Sequence, residues 1–472
     1  MPSQPIVEAR SFDYIPDTAR HGNVRGQFQF WFMTNATVIT LYTGGVGPIY
    51  GLSLRWTLVA LILGSLLGTM FQAFHGAQGP RMGLPQMIQS RVQFGSRGAI
   101  LPLAAATFSA LGFALFLTQT GAQAVQDVIG VGSSSLLQIV ICVIAMAISI
   151  VGFNLVLGVE RIASYVVLIN LVALTIIAIR LLPISTMLGE GHFAPIAFLA
   201  QVGASAIYQL SIAPIVSDYT RYMPKRTSAA AISGTVFGGT MLSAVWLESL
   251  GAVLMIAYPK ADVVASVYGL GNQFGFGLGA ATMTIAAFAC LITASIAMYS
   301  AAVALLSAAE AFHPIRSTAG LRAITITVGG FAVIIASLLM SSNILTDFAA
   351  FLAILGYFLI PWTAVNLMDY YYVRRGRFSI TDIMRQDGGI YGLYSKSGLI
   401  SYLVGFVAMI PFFSNSLYTG PIALALDKAD VSYFVGLLVS ILCYLFMMRN
   451  HDFAAELAHV RRAAINTLDD DQ

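Results

Sequence analysis

Twelve apolar runs, most of them long enough to cross a lipid bilayer, leave this chain few ways to fold. They cover residues 28–50, 54–75, 98–127, 135–157, 161–182, 196–218, 230–258, 275–308, 321–341, 345–372, 398–414 and 431–448, bounded by charged residues or Gly/Pro clusters. About 20 apolar residues in a helix match the hydrocarbon thickness of a membrane. Backbone groups in lipid find no water, so a continuous run must be helical; barrel strands would alternate instead. Composition agrees: 58% of the 472 residues are hydrophobic and 10% charged, where a soluble domain holds about 45–50% and 25%. So little charge cannot coat a soluble surface, and the chain is too apolar for a disordered or nucleic-acid-binding arm. The expectation is an all-α integral membrane protein of twelve transmembrane helices, with the bilayer as its large partner and no nucleic acid.

Charge sets the orientation. Residues 1–27 are polar and lack the apolar core of a cleaved signal, so the first span serves as the insertion signal. With the N-terminus cytoplasmic, the inner segments hold Arg10, Arg20, Arg25, Arg81, Arg91, Arg97, Arg161, Arg221, Lys225, Arg226, Arg316, Arg322, Arg374, Arg375, Arg377, Arg385, Lys396, Arg449, Arg461 and Arg462. That is 20 of the 24 Lys and Arg; the outer side keeps Arg55, Arg180, Lys260 and Lys428. A miscounted span would scramble this asymmetry, so it supports an even number of spans with both termini cytoplasmic, in a cell (inner) membrane. Cys142, Cys290 and Cys443 stand singly inside apolar runs, without metal-ligand spacing, and read as small hydrophobes. No phosphate-binding G-x-x-x-x-G-K-[ST] loop is present, which disfavours ATP-driven transport on this chain.

Two spans carry interruptions. Span one contains Thr43-Gly44-Gly45-Val46-Gly47-Pro48, which is expected to break its helix there. Span six contains Ala213-Pro214 just after Tyr208, Gln209 and Ser211. Five spans separate the two, so two five-helix units would be inverted relative to each other, with the breaks at matching places. Polar residues cluster near them: Asn35, Thr37 and Thr40 in span one, Thr118, Gln119, Gln123 and Gln126 in span three, and Thr293, Ser295 and Ser300 in span eight. Glu248 lies within span seven and Asn366 and Asp369 in span ten. An ionisable side chain in a span is costly, which makes Glu248 either a proton carrier or a paired structural acid near a span end. Phe113 and Tyr208 offer ring faces, and Asn35, Gln119 and Gln209 offer paired donors and acceptors, a lining suited to a small, flat, neutral heterocycle.

Four segments carry a family signature. Gly79-Pro80-Arg81-Met82-Gly83-Leu84-Pro85-Gln86-Met87 is followed by Ser90-Arg91, Phe94-Gly95 and Arg97-Gly98. Ala213-Pro214-Ile215-Val216-Ser217-Asp218-Tyr219-Thr220-Arg221-Tyr222-Met223-Pro224 closes span six. Pro361-Trp362-Thr363-Ala364-Val365-Asn366-Leu367-Met368-Asp369-Tyr370-Tyr371 closes span ten, and Gly420-Pro421 precedes Ala429-Asp430-Val431-Ser432 and Gly436. Together they resemble the nucleobase–cation symport family of the purine–cytosine permease type, from span one to span twelve.

The resemblance implies a LeuT-like architecture. Residues 1–27 would form an N-terminal tail, 28–182 the first five-helix repeat and 196–372 the second. Residues 398–448 would add two helices and 449–472 a C-terminal tail. It implies uptake of a purine, pyrimidine, allantoin, hydantoin or thiamine-like compound with co-transported H+ or Na+, no bound cofactor, and function as a monomer. Substrate would lie between the broken helices and spans three, eight and ten. Phe113 matches the family's aromatic after glycine. Leu117, Gln209 and Met298 stand at or near substrate-facing positions with altered side chains, so Tyr208 or Gln209, with Asn35, would take part. A sodium ion would use span-one backbone carbonyls near Thr34 and Thr37 with Thr293 and Ser295 of span eight. The preceding hydroxyl position is Ile292, which leaves a proton carried by Glu248 as the competing choice. Asp218, Arg221 and Asp369 would act in the inner gate. Competing classes are an amino-acid or thiamine-like carrier on the same fold, a channel and a membrane enzyme; the six scattered histidines oppose the last.

Overall fold

The computed structural model describes residues 14–469 except 131, 152, 314, 316, 317, 341, 342 and 416, and side chains outside 151–162 and 463–469. Arg10 and Arg316, both assigned to the inner side, lie outside the described residues. The described chain is helical, its one β-bridge joining Ser414 and Thr419. In order the main helices are α1 (Val24–Thr34), α2 (Val38–Ile49), α3 (Leu54–Gly76), α4 (Ile100–Ile129), α5 (Ser134–Val151), α6 (Phe153–Leu181), α7 (Pro195–Leu210), α8 (Ala213–Thr220) and α9 (Ala229–Ala257). There follow α10 (Val263–Phe274), α11 (Leu278–Glu310), α12 (Ala319–Leu339), α13 (Ile344–Met368), α14 (Lys396–Met409), α15 (Ser432–Met448) and α16 (Phe453–Asp469).

Among the described residues eight helices are long and apolar enough to cross a bilayer, with α7 and α8 counted as one. Val38–Ile49, Ser134–Ile150 and Lys396–Phe412 are shorter apolar helices, and Ser432–Met448 continues into Phe453–Arg462 through an 83° bend. Span one falls short of a single long helix because it is cut in two.

The cut is not where the glycines and proline predicted it. α2 runs unbroken through Gly44–Gly47, with Pro48 in its last turn; the break is Asn35-Ala36-Thr37. The correction has a packing reason. A Cβ on Gly44 would lie 1.8 Å from the carbonyl oxygen of Glu248, and one on Gly251 would lie 2.0 Å from that of Leu41. These glycines let α2 and α9 cross backbone to backbone, as small residues do between membrane helices. Gly64 and Gly68 do the same for α3 against α7, with Val202 O and Ala206 O at 2.3 and 2.1 Å from their would-be Cβ atoms. Helices α1–α3 and α7–α9 therefore form one tightly joined bundle. The second break, Ser211-Ile212, lies where expected, just ahead of Ala213-Pro214, and Pro214 sits in the first turn of α8, where its missing N–H costs nothing.

Segments rich in Lys and Arg converge at one end of the helices. Ile15 N–H donates to Gly83 O at 2.9 Å, Gly22 N–H to Tyr222 O at 2.9 Å, and Arg97 N–H to Leu393 O at 2.9 Å. Arg91 pairs with Glu310 at 2.7 Å at that same end.

Candidate substrate and ion site at the helix breaks

The two breaks meet. Asn35, ending α1, donates from Nδ2 to Gln209 Oε1 at 3.2 Å and to Thr240 O at 3.1 Å. Thr40 Oγ1 donates to Asn35 O at 2.7 Å, occupying a carbonyl that the interruption frees, and lies 2.8 Å from the Tyr208 hydroxyl. Thr37 Oγ1 is 3.5 Å from Thr40 Oγ1. Side chains thus satisfy the interrupted backbone, as irregular structure at membrane depth requires.

The neighbours Tyr208 and Gln209 divide the work. Tyr208 turns toward α4 and α13: its ring is 6.0 Å from Phe113 and 6.3 Å from Phe348, both edge to face. Phe351 adds a ring 5.4 Å from Phe113. Leu117 and Met298 are buried in the same apolar cluster. Gln209 turns into the bundle, where its Nε2 donates to Glu248 Oε1 at 3.3 Å. Gln119 leaves this group altogether; its Nε2 points to Ser337 O on α12, 3.5 Å away.

Glu248 is fully buried, not at a span end. Ser205 Oγ donates to its Oε2 at 2.6 Å, and Ser65 Oγ lies 3.3 Å from both carboxyl oxygens. Ser205 in turn accepts from Gln201 Nε2 at 2.9 Å. Sequence reading missed Ser65, Ser205, Gln201, Phe348 and Phe351. Phe348 and Phe351, spaced three apart, carry a weak signal as one face of a helix; the serines and Gln201 carry none.

The hydroxyls expected near a cation are separately engaged. Thr34 Oγ1 donates to Phe30 O at 3.0 Å and Ser295 Oγ to Ile292 O at 2.7 Å, each within its own helix. Thr293 is half-buried on α11. Thr37 lines a cavity of about 20 Å³ with Asn170 and Thr282, between α2, α6 and α11. That volume suits one water-sized occupant.

At the basic end the expected gate residues are held by different partners. Asp218 Oδ1 accepts from Gln86 N–H at 2.8 Å, and Arg221 Nε donates to Asp218 O at 3.2 Å. Asp369 is fully buried; it accepts from Gln93 Nε2 and the Tyr444 hydroxyl, each at 2.7 Å, and from Arg374. Arg374 also pairs with Glu456 of α16 at 2.7 Å. A ladder of amides joins the bundle to α13: Gln86 Nε2 to Gln78 Oε1 at 3.2 Å, Gln78 Nε2 to Asn366 Oδ1 at 2.8 Å, and Asn366 Nδ2 to Gln93 Oε1 at 3.2 Å. His75 lies beside it, stacked on Trp362 at 4.5 Å and 2.8 Å from Thr363 Oγ1. Asp369→Ala takes the buried carboxylate from the Arg374 guanidinium and leaves it Glu456 and the Tyr444 hydroxyl, and thermal unfolding in detergent is expected to show a loss of about 3 kcal/mol.

Two interrupted helices whose breaks face each other, with amides, hydroxyls and aromatic rings converging on them, define a secondary membrane transporter. The family model for permeases for cytosine/purines, uracil, thiamine and allantoin matches residues 14–436, and the chain belongs to that family. The Bacillus subtilis protein YxlA, provisionally named a purine-cytosine permease, is 34% identical over 94% of this chain and 96% of its own. The purine-cytosine permease fcyB of Emericella nidulans is 23% identical over 93% of this chain and 88% of its own. Among solved structures, the nucleobase-cation-symport-1 family transporter Mhp1, closed with bromovinylhydantoin bound, superposes with a TM-score of 0.74 at 18% identity, covering 94% of this chain and 96% of that one. Its inward-facing form gives 0.76 at 17% identity, covering 95% and 94%. The protein is therefore a membrane permease with an Mhp1-like, LeuT-type helical fold.

Proposed function

We propose that this permease is a symporter that imports a nucleobase or related heterocycle of the cytosine, purine or allantoin class, driven by H+ or Na+, by alternating access. The observation that carries this reading is the convergence of the Phe113, Tyr208 and Phe348 rings on the helix breaks beside Asn35 and Gln209, next to the buried Glu248 of α9. A flat base stacks on aromatic faces and presents edge groups to hydroxyls and amides. The rings now pack edge to face, so Phe113 or Tyr208 swings aside to admit the base. Tyr208 is the first polar contact, with Thr40 behind it; Asn35 and Gln209 reach the base through rearrangement of their present bonds, and Leu117 and Met298 bound it with apolar surface.

In this proposal the chain has twelve spans, five plus five inverted and two more, and acts as a monomer in the cell membrane with both termini cytoplasmic. The converging Lys- and Arg-rich segments form its inner face. Asp218, Arg221 and Asp369 belong to the inner gate, where the amide ladder from Gln86 to Gln93 must part for release. Glu248 carries the coupled proton; a sodium ion would instead use carbonyls near Thr34 and Thr37 with Thr293 and Ser295. The apolar Ile292 at one hydroxyl position and the full burial of the Glu248 carboxyl support the proton.

Counterflow of labelled cytosine, adenine, hypoxanthine and allantoin in proteoliposomes tests the substrate class. Saturable exchange of at least one is expected, and Phe113→Ala should weaken its half-saturation about 5- to 100-fold by loss of one stacking face. Exchange of none of the four, or a linear leak, overturns the reading.

A further inference from the structure

Gln201 stands outside the ring cluster, yet it occupies an unusual place. It is fully buried on α7. Its Oε1 accepts from Gly47 N–H at 2.6 Å, and its Nε2 donates to Thr43 O at 3.0 Å. Gly47 and Thr43 are four apart on α2, so the amide spans the two ends of one i→i−4 step of that helix. A side chain inserted in such a step loosens or bends the helix there.

The backbone fixes which way this amide points. Gly47 N–H can only donate and Thr43 O can only accept, so Nε2 must face Thr43 O. Its second hydrogen goes to Ser205 Oγ at 2.9 Å, and the single Ser205 hydrogen goes to Glu248 Oε2 at 2.6 Å. A second chain is pinned in the same sense from the other side. Thr240 O can only accept, so Asn35 Nδ2 donates to it and to Gln209 Oε1, which leaves Gln209 Nε2 for Glu248 Oε1. Donors therefore reach the carboxyl along two chains, one anchored on the backbone of α2 and the other on Thr240 O of α9. Among the described residues the groups facing it are Ser205 and Gln209 of α7 and Ser65 of α3, and the phenol of Tyr208 is close enough to feel its charge.

We propose that Gln201 is a positioning residue that ties α2, the outer half of span one, to the charge state of Glu248. The proposal rests on the reading of Glu248 as the titrating group. With Glu248 ionised, the charge-assisted bond from Ser205 draws Ser205 and Gln201 tight and holds α2 against α7. When Glu248 takes up a proton, its O–H donates to Ser205 Oγ, whose own hydrogen turns away. The charge that tightened the chain is gone, and Gln201 releases α2 more readily.

The test uses Thr43→Cys in full-length protein with Cys443→Ser, since Cys142 and Cys290 are buried and Thr43 is fully buried in this conformation. Maleimide labelling in proteoliposomes is followed from pH 5 to 9, relative to Tyr50→Cys, which is exposed at the residue that caps the end of α2. The expected result is labelling of Thr43→Cys that rises about tenfold toward low pH. Gln201→Leu should make it fast at every pH. Ser205→Ala, which cuts the link to Glu248 but keeps the bonds of Gln201 to Gly47 and Thr43, should hold it near the low-pH level of the unsubstituted chain and independent of pH. Labelling with no pH dependence while Gln201 is present, or Gln201→Leu or Ser205→Ala matching the unsubstituted profile, overturns the proposal. No substrate enters this assay, so it can succeed where the counterflow panel fails, and the two failures are distinguishable.

Discussion

Glu248→Gln is expected to lower substrate accumulation at least tenfold while counterflow continues. The substitution keeps shape and volume, so the crossing of α9 with α2 at Gly44 is preserved. It removes the charge and the titrating proton together. The new amide can place its oxygen toward Gln209 Nε2 and donate its N–H₂ to Ser205 Oγ, whose own hydrogen turns away, so it copies the protonated acid and holds that state permanently. The orientations of Gln201 and Asn35 behind them are set by backbone groups, so the amides cannot turn over to accept. Counterflow needs only exchange of substrate across the membrane, with no net movement of the driving ion. Uptake against a gradient needs the ion. Accumulation at the wild-type level in this variant would remove Glu248 from the coupling mechanism.

The second large effect concerns folding. Gly44→Ala should destabilise the protein by about 3 kcal/mol or more, and Gly44→Leu should prevent recovery of folded protein. The added carbon meets backbone, at 1.8 Å from Glu248 O and 2.5 Å from its carbonyl carbon, so no rotamer change relieves it. The two helices would have to separate, pulling Glu248 away from Ser205 and Gln209. Gly234→Ala is the control on α9 itself, because nothing lies within 4 Å of its would-be Cβ. There the gain in helix propensity should leave stability unchanged or raise it by up to about 1 kcal/mol. Thermal unfolding in detergent separates the two, and equal midpoints for Gly44→Ala and Gly234→Ala would contradict the backbone crossing.

The same glycine shows where sequence reading works and where it stops. Hydropathy finds the helices because lipid imposes length and composition on each stretch locally. The run from Thr43 to Pro48 was read by the same local logic as a helix breaker, and that failed. The glycines serve a neighbour some 200 positions away, and Pro48 ends the helix without breaking it. The real break at Asn35-Ala36-Thr37 contains no glycine or proline. It is stable because Gln209, Thr240 and Thr40 bond its exposed groups, and two of those lie on other spans. Asn35, Tyr208 and Gln209 were nonetheless marked as a group, since buried amides in a span are conspicuous. Gln201 and Ser205 are equally polar but sit in a stretch whose residues look ordinary in line. Their importance comes from facing Gly47 and Glu248, which only the fold brings near. Helix α16 carries Glu456, which fastens to Arg374, a pairing of positions 82 apart that no local pattern announces.

The most direct test of the account is uptake by purified protein in proteoliposomes under imposed gradients, using whichever base of the four exchanges in counterflow. Inward H+ or Na+ gradients should each be applied alone, then both collapsed. The account predicts accumulation above the external concentration with at least one gradient, lost when both are collapsed and lost with Glu248→Gln under a proton gradient. Uptake that is the same with and without the gradients would contradict it.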